Sequence, residues 1–464
     1  MAANREQAGH DEVTPRAAGA AITEVAAQRA VGGSPAVEAS TGGSRAAGTK
    51  TVEPGQAPAP GPRAPRRGLQ LLGPAFVAAI AYVDPGNVAT NVTAGARYGY
   101  LLLWVVVVAS VMAVLIQYRS AALGIVTGRS LPALVGERLG RRSRIAYWAQ
   151  AELVAAATDL AEVVGGALAL HLLFGLPLWL GGVLVGGVSL ALLAAQNRAG
   201  QRRFELVVMA LLAVIVLGFL AGLVVRPPDA ARVAGGLLPR FRGSDSVLLA
   251  ASMLGATVMP HAIYVHSALA RDRHGHAETT QQRNLLLRAT RWDVGAALAV
   301  AGAVNVGLLL LAAAGLSGVP GTDSIQGAHA AITATLGRGI GIAFAVGLLA
   351  SGLASTSVGA YAGAVVMGDL LHRRVPLALR RAATLVPAVV LLAVGADPTL
   401  TLVVSQVVLS FGIPFALVPL VRLAHDESLM GDRRTGRLHQ GVLWGVVGLV
   451  VGLNLTLLGL LVIR

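Results

Sequence analysis

Two short motifs place polar and sulfur-bearing side chains inside otherwise apolar stretches of the chain. Residues 84–87 read Asp-Pro-Gly-Asn, and residues 259–261 read Met-Pro-His. Asp84 and Asn87 offer hard oxygen ligands, whereas Met259 offers a soft thioether sulfur. Proline and glycine interrupt helices, so both motifs predict a local break in the helix that contains them.

The backbone near each break adds oxygen ligands to this set. The carbonyl groups of Ala81 and Ala256 are candidates because they lie close to the two motifs. A mixture of carboxylate, amide and carbonyl oxygens with one thioether suits a transition-metal ion such as Mn²⁺ or Fe²⁺, whereas Mg²⁺ and Ca²⁺ prefer oxygen alone. The alternative is that Met259 only packs against its neighbours, which is the commoner role of methionine in membrane helices.

Three further acids lie in the stretch QAELVAAATDLAEVVGG. Glu152, Asp159 and Glu162 are seven and three residues apart, which places them within an arc of about 80° on a helix. Carboxylates at membrane depth are costly and mark functional sites by default. Such a stripe predicts a proton relay along a polar path. The alternative is a set of structural ion pairs with arginine, and both roles can coexist.

Two histidines follow the second break. His261 and His266 are five residues apart, or about 140° around a helix, so they do not form a two-histidine metal clamp. We expect His261 to influence Asp84 or to pass a proton. His266 is expected to be structural or to be a second relay.

The composition indicates which class of protein positions these groups. Of the 464 residues, 55% are hydrophobic and only 13% are charged, and the mean hydropathy is +0.68. Soluble proteins carry roughly twice this share of charged residues. The chain is therefore predicted to be a polytopic membrane protein. It contains no cysteine, which excludes disulfides and thiolate metal sites.

Eleven apolar stretches approach the length of roughly 20 residues that spans a bilayer. All are predicted to be helices, because a chain in lipid must satisfy its own backbone hydrogen bonds. The predicted spans cover residues 70–97, 101–124, 145–174, 178–195, 205–225, 246–270, 292–316, 339–368, 382–396, 399–421 and 441–463.

The two motifs fall in the first and sixth of these spans. Each span is expected to divide into two half-helices with an unwound joint, which is tolerated only where it faces protein or a water-filled cavity. Matching breaks in two halves of a chain are typical of transporter sites. Their separation by five spans predicts a five-plus-five inverted repeat with an additional eleventh helix.

The arginines predict the orientation of the spans. With the N-terminus in the cytoplasm, the inner loops hold 21 arginines and the outer segments hold 6. This asymmetry follows the positive-inside rule and places the C-terminus outside. It also accounts for the net charge of +14 without a nucleic-acid partner.

The first 67 residues differ from the remainder of the chain. They are rich in Ala, Gly, Pro, Ser and Thr and show no hydrophobic periodicity. Residues 1–67 are therefore predicted to be a disordered cytoplasmic tail, followed by a transmembrane transporter domain over residues 68–464.

Both motifs resemble signatures of the Nramp family of divalent-metal transporters, with DPGNVATN in the first span and GATVMPHAIYVHS in the sixth. The resemblance covers nearly the whole chain after residue 68. It implies an all-α, LeuT-like fold and proton-coupled import of Mn²⁺ or Fe²⁺ across the cytoplasmic membrane. The transported metal ion and protons are then the ligands, and no cofactor is implied.

The resemblance also implies the roles of individual residues. Asp84, Asn87 and Met259 would bind the metal ion together with the carbonyl groups of Ala81 and Ala256. The methionine favours manganese or iron over aluminium or magnesium.

Residues outside the two motifs also receive roles from this resemblance. Gln406, in the tenth-span stretch SQVVLSFGIPF, would approach the metal ion when the site is occluded. Arg380 and Arg381, at the start of the ninth span, would join the third-span acids in a proton-exit network. Within the motifs, Asp84 and His261 are the candidates to accept and pass protons at the other end of this pathway, because they lie beside the breaks.

Two other functions are compatible with parts of the pattern. A sodium-coupled amino-acid symporter could share the fold, although an aspartate at the break would repel the carboxylate of its substrate. An intramembrane aspartyl protease could use Asp84 and Asp159, which would have to face each other around a water molecule. The sequence has no GxGD-type motif, and Pro85 directly follows the first acid.

Overall fold

The computed structural model describes residues 73–199, 201–275, 277, 279–371 and 377–463, and the predicted tail over residues 1–67 lies outside these ranges. Within the ranges the chain forms α-helices and short 3₁₀ segments but no β-strand. The helices are α1 (Pro74–Ile80), α2 (Pro85–Tyr98), α3 (Leu103–Thr127), α4 (Leu131–Arg138), α5 (Arg141–Phe174), α6 (Leu178–Ala199), α7 (Gln201–Val225), α8 (Ala230–Gly236), α9 (Gly243–Thr257), α10 (Pro260–His274), α11 (Thr280–Gly315), α12 (Ile325–Leu336), α13 (Arg338–Leu371), α14 (Leu377–Ala393), α15 (Pro398–His425), α16 (Glu427–Met430) and α17 (Arg437–Ile463).

Helices occupy all eleven predicted spans. Among the described residues, seven helical segments are long and apolar enough to cross a membrane by length and composition. These segments are α3, α5, α9 with α10, α11, α13, α15 and α17. The other four spans are the interrupted first span (α1 with α2), α6, α7 and α14. The all-α architecture expected from the sequence is therefore confirmed.

The first break lies slightly before the position expected from the sequence. Helix α1 passes into a 3₁₀ segment at Ala81–Val83, and Asp84 is extended, with φ −76° and ψ 169°. Pro85 is then the first residue of α2, so Pro85, Gly86 and Asn87 are helical instead of unwound. The reason is that proline fits the first turn of a helix, where no N–H donor is required.

The second break repeats this geometry. Helix α9 ends at Thr257, Val258 and Met259 are not helical, and Pro260 begins α10. In both spans, therefore, the proline starts the second half-helix, and the unwound residues lie immediately before it.

Four short helices, α4, α8, α12 and α16, were not predicted from hydropathy. Helices α4 and α12 contain 8 and 12 residues, too few to cross a bilayer. Each begins after a serine whose hydroxyl accepts a backbone hydrogen bond, Ser130 from Ala133 N and Ser324 from Gly327 N. This N-cap pattern was the available sequence signal for both helices.

Close helix packing surrounds the interrupted spans. Helix α2 packs on α11, and an added Cβ at Gly95 would lie 2.5 Å from the carbonyl oxygen of Leu309. Glycine lets two helix backbones approach in this way where lipid provides no hydrophobic drive between them. The long α5 similarly packs against α13, α6, α14 and α15.

The N-terminus of α1 is anchored by a side chain from α11. The two carboxylate oxygens of Asp293 accept hydrogen bonds from Gly73 N at 3.1 Å and Ala75 N at 3.0 Å. Asp293 is buried. A carboxylate at this position satisfies amide groups that have no partner within the helix and also interacts favourably with the helix dipole.

We predict that Asp293→Ala lowers the free energy of unfolding by about 1–3 kcal/mol, because two buried backbone donors lose a charged acceptor. Thermal unfolding of the purified protein in detergent would measure this loss. Asp323→Ala is the matched control, since its ion pair with Arg97 is exposed and should contribute about 1 kcal/mol or less. Equal midpoints for the two variants would contradict the anchoring role of Asp293.

Candidate metal site

Asp84 caps α2 from inside the break. Its Oδ1 atom accepts hydrogen bonds from the backbone N and the side-chain Nδ2 of Asn87, both at 2.8 Å. Its Oδ2 atom is buried and has no hydrogen-bond partner among the described residues. Since the residue is fully buried, this second oxygen is a candidate ligand for a cation.

Asn87 connects the two breaks. Its Nδ2 atom donates to the carbonyl oxygen of Ala256 at 2.8 Å, and its Oδ1 atom accepts from Thr257 Oγ1 at 3.4 Å. Residues about 170 positions apart in the sequence are thereby joined in the buried interior. Thr257 was not among the residues predicted from the sequence, although it directly follows Ala256.

The prolines deprive one backbone carbonyl near each break of its usual helical hydrogen-bond donor. Ala81 and Ala256 lie four residues before Pro85 and Pro260, so the N–H group that would normally bond each carbonyl does not exist. Both alanines are fully buried, as is Met259 in the unwound segment before Pro260. All five predicted ligands of the two motifs therefore lie at or beside the breaks.

Gln406 reaches the first break from α15. A Cβ placed on Gly86 would overlap the carboxamide of Gln406, which shows that this side chain lies directly against the DPGN motif. Its Nε2 atom donates to Ser405 Oγ at 3.3 Å, whereas its Oε1 atom is buried without a hydrogen-bond partner in the described part of the chain. The same helix also touches the other interrupted span, because a Cβ on Gly255 would overlap the carbonyl oxygen of Gln406.

Polar side chains from α11 and α13 stabilise the unwound backbone of the first break. Asn305 Nδ2 donates to the carbonyl oxygen of Tyr82 at 2.7 Å, and Ser351 Oγ donates to that of Val83 at 2.5 Å. Asn305 also accepts from Asn91 Nδ2 at 3.1 Å. Ser351 was not among the residues predicted from the sequence.

The two histidines of α10 contact different neighbours. His261 Nδ1 lies 3.3 Å from Thr158 Oγ1 on α5, and its Nε2 atom is buried without a partner among the described residues. His266 Nδ1 lies 2.8 Å from Gln117 Oε1 on α3. Gln117 Nε2 in turn donates to the Tyr82 hydroxyl at 2.5 Å, which continues a hydrogen-bonded chain back to the first break.

The deeper acids of α5 share one arginine. Arg381 Nη1 lies 2.5 Å from Asp159 Oδ1 and 3.8 Å from Glu162 Oε2, and all three side chains are buried. Glu162 Oε1 also accepts from Ser355 Oγ at 2.9 Å, and Arg381 Nη2 donates to Thr356 Oγ1 at 3.3 Å. Two carboxylates near one guanidinium leave the cluster with a net negative charge when both acids are ionised.

Glu152 forms a separate pair nearer to one end of α5. Its Oε1 atom accepts from Arg380 Nε at 2.9 Å, and its side chain is 22% exposed. A Cβ on Gly363 would overlap the Arg380 guanidinium, so α13 provides space for this arginine. The ion pairs with arginine that the sequence allowed as an alternative are thus present, and the proton relay remains a prediction.

The candidate site differs from a common protein metal site. In the described residues, no group of three or more His, Cys, Asp and Glu side chains is arranged to hold a metal ion. The junction of the two breaks instead offers one carboxylate, two amides, one thioether and backbone carbonyls. One negative charge with several neutral ligands can hold a dehydrated divalent ion while allowing it to leave.

Comparison with known proteins places the chain in a family. The model of the family described as "Nramp: Natural resistance-associated macrophage protein-like" matches residues 75–460. The chain belongs to the Nramp family. The resemblance drawn from the DPGN and MPH motifs is therefore confirmed.

Proteins similar to this Nramp chain include named metal transporters. The chain is 60% identical over 392 residues to the divalent metal cation transporter MntH of Mycobacterium tuberculosis, covering 84% of this chain and 92% of the relative. Its structure is similar to that of a manganese transporter from Eremococcus coleocola, with a TM-score of 0.76 and 32% identity over 85% of this chain and 88% of the other.

More distant structures confirm the fold of this Nramp chain. The nucleobase-cation-symport-1 family transporter Mhp1 matches with a TM-score of 0.54 and 17% identity, covering 80% of this chain and 81% of Mhp1. At this identity the likeness concerns the fold alone. Together with the interrupted first and sixth spans, it confirms the LeuT-like fold expected from the sequence.

We predict that Arg381→Met lowers the free energy of unfolding by about 3–5 kcal/mol, because Asp159 and Glu162 would remain buried without their cation. The triple variant with Asp159→Asn and Glu162→Gln should recover most of this loss, since it removes the unpaired charges. Thermal or denaturant unfolding in detergent would compare the variants. If the triple variant is as unstable as the single one, the loss comes from packing and the charge argument is wrong.

Proposed function

We propose that this protein is a secondary active, proton-coupled importer of Mn²⁺ and Fe²⁺ in the cell membrane. The observation that carries the proposal is the junction of the two interrupted helices, where Asp84, Asn87 and Ala256 are joined by hydrogen bonds in the protein interior. The chain is a multi-pass membrane transporter and not an enzyme, in agreement with its family. The names of its relatives support a divalent metal ion as the substrate.

The ligand chemistry supports a transition metal. Asp84 Oδ2 and Gln406 Oε1 are buried oxygens without hydrogen-bond partners among the described residues, so they are available to a bound ion. Met259, at the second break, adds a thioether that favours Mn²⁺ or Fe²⁺ over the harder Mg²⁺ and Ca²⁺. In this proposal Asn87 and the carbonyl groups of Ala81 and Ala256 complete the site.

Release of the ion requires the occluded site to open. Helix α15 contacts both breaks, through Gln406 at Gly86 and through its backbone at Gly255. Movement of α15 relative to the two interrupted helices would therefore withdraw Gln406 and expose the site. An ion that binds the open and occluded states with different affinity would shift this equilibrium.

A route for protons leads from the second break to α5. His261 contacts Thr158, the residue directly before Asp159, and Asp159 shares Arg381 with Glu162. The Glu152–Arg380 pair lies further along the same helix toward the region rich in arginine. We propose that protons pass between Asp84 and this network, with the acids as carriers and the arginines holding them in position.

The proposal includes the orientation of the protein in the membrane. The N-terminus is placed in the cytoplasm and the C-terminus outside, because the loops that are then internal hold most of the arginines. The acidic and arginine residues at the start of α5 and α14 then lie toward the cytoplasm, as a proton exit requires.

The two alternative functions fit the geometry less well. Asp84 is buried at the first break, where its charge would repel the carboxylate of an amino-acid substrate. Asp159 is engaged with Arg381, and Asp84 with Asn87, so the two acids do not form the facing pair that an aspartyl protease needs.

We predict that Asp84→Asn abolishes Mn²⁺ uptake into proteoliposomes, because the substitution removes the only carboxylate of the candidate site. Uptake is measured with a metal-sensitive dye inside the vesicles, with the external pH set below and then equal to the internal pH. The unsubstituted protein should accumulate Mn²⁺ faster with the proton gradient, and internal acidification should accompany uptake. Asp323→Asn, an exposed acid elsewhere, is the matched control.

The two parts of this experiment separate metal transport from proton coupling. Normal uptake by the Asp84→Asn protein would refute the proposed metal site. Uptake that is unaffected by the pH gradient and causes no acidification would refute proton coupling while leaving metal transport in place.

We predict that Met259→Ala reduces discrimination against Ca²⁺ more than it reduces Mn²⁺ transport, because only the soft sulfur distinguishes the two ions strongly. Competition of Ca²⁺ and Mg²⁺ with Mn²⁺ uptake would measure the change, which we expect to be roughly tenfold or more. Met253→Ala is the matched control, since this buried methionine lies within the regular helix α9, one turn before its end, and not in the unwound segment. Unchanged selectivity would mean that the Met259 sulfur only packs.

A further inference from the structure

A basic cavity lies apart from the candidate metal site, between α3, α11 and the segment that links α15 to α17. Its volume is about 460 Å³. Five arginines line it, together with Tyr118 and a few uncharged side chains and one acid, Asp432. The arginines are Arg119, Arg288, Arg291, Arg433 and Arg434.

Only part of this positive charge is balanced by acids. Arg433 lies 3.4 Å from Asp432, and Arg434 lies 2.5 Å from Glu427. Among the residues that the structure describes, the other three arginines form no ion pair with a carboxylate. The cavity therefore has a net positive charge and attracts an anion.

Two of the unbalanced arginines are held close together. The guanidinium groups of Arg119 and Arg291 lie 5.5 Å and 5.6 Å from the centroid of the same ring, that of Tyr118. The ring offsets part of their charge through cation–π contacts, but their mutual repulsion remains. Arg288 lies one helical turn before Arg291 and faces the same side of α11.

An apolar groove continues from the basic cavity. It has a volume of about 310 Å³ and shares Tyr118, Arg119 and Arg291 with the cavity. The rest of its lining is mostly aliphatic, from three helices: Val114, Leu115, Val294, Val442 and Leu443. Val114 and Leu115 lie about one turn further into the membrane-spanning part of α3 than the arginine.

The junction of cavity and groove lies where the membrane meets water. Trp292 follows Arg291 directly and is 73% exposed, which is typical of tryptophan at the headgroup level of a bilayer. In the proposed topology this is the cytoplasmic side. One end of the combined feature is thus basic and solvated, and the other is apolar and faces the lipid.

We propose that the two cavities together form a binding site for an anionic phospholipid of the cytoplasmic leaflet. The phosphate group binds Arg119, Arg288 and Arg291, and an acyl chain lies in the groove along Leu115 and Val442. Basic cavities between membrane helices on the cytoplasmic side bind anionic headgroups in this way. The apolar groove favours a lipid over free phosphate, because phosphate has no apolar part that could fill the groove.

The proposal is tested by native mass spectrometry of the purified, delipidated full chain. Phosphatidylglycerol, phosphatidylcholine with the same acyl chains, and inorganic phosphate are titrated separately. The charge variant is Arg288→Gln with Arg291→Gln, since both side chains are exposed and their loss should not disturb the core. The matched control is Arg141→Gln with Arg142→Gln, which removes the same charge from exposed residues of α5.

The groove is tested with a second pair of variants. Val442→Asn places an amide in the groove, whereas Leu438→Asn makes the same kind of change at an exposed position of α17 outside it. Size-exclusion chromatography and helical circular dichroism confirm that each variant is folded before lipid is added.

We expect phosphatidylglycerol to bind roughly tenfold or more tightly than phosphatidylcholine, and the double arginine variant to lose roughly tenfold or more of this affinity. Val442→Asn should weaken lipid binding about threefold without a comparable effect of Leu438→Asn. Equal affinity for the two lipids, or full retention by the double arginine variant, would overturn the proposal. Equally tight binding of inorganic phosphate and phosphatidylglycerol would also overturn the proposal, since the ligand would then be a free anion.

Discussion

The absence of an N–H group at Pro85 and Pro260 is the constraint on which the rest of the structure depends. In a bilayer, each carbonyl that loses its helical partner must find another one within the protein. Asn305 and Ser351 meet this need for the unwound residues before Pro85, and Asn87 meets it for Ala256. The surrounding helices therefore supply hydrogen bonds to two short backbone segments whose carbonyl groups lack partners within their own helix.

Much of this architecture was predictable because hydropathy and proline act locally. Span length follows from the thickness of the bilayer, and a proline in an apolar span marks a break wherever the span is placed. Asp84, Asn87, Met259, Ala81 and Ala256 could thus be named together from two short motifs. The observed first break lies a few residues before the predicted one. Hydropathy does not distinguish a proline that ends a helix from one that begins the next.

The supporting contacts were not predictable, because they join residues that are distant in sequence. Ser351 and the carbonyl of Val83 are 268 positions apart, and Gln117 and His266 are 149 apart. A serine or glutamine within an apolar span is compatible with many partners, and only the packing of the helices selects one. The short helices α4 and α12 were not predicted for a different reason. A serine N-cap is a much weaker sequence signal than an apolar run of about 20 residues.

The anchoring of α1 by Asp293 has a consequence for movement of the first half-helix. If α1 tilts away from the bundle to release an ion, either α11 moves with it or both hydrogen bonds to Gly73 and Ala75 break together. In the second case a carboxylate is left exposed to lipid or must be reached by water. Tilting of α1 alone would therefore carry the additional cost of unpairing this buried carboxylate, whereas movement of α1 together with α11 would not.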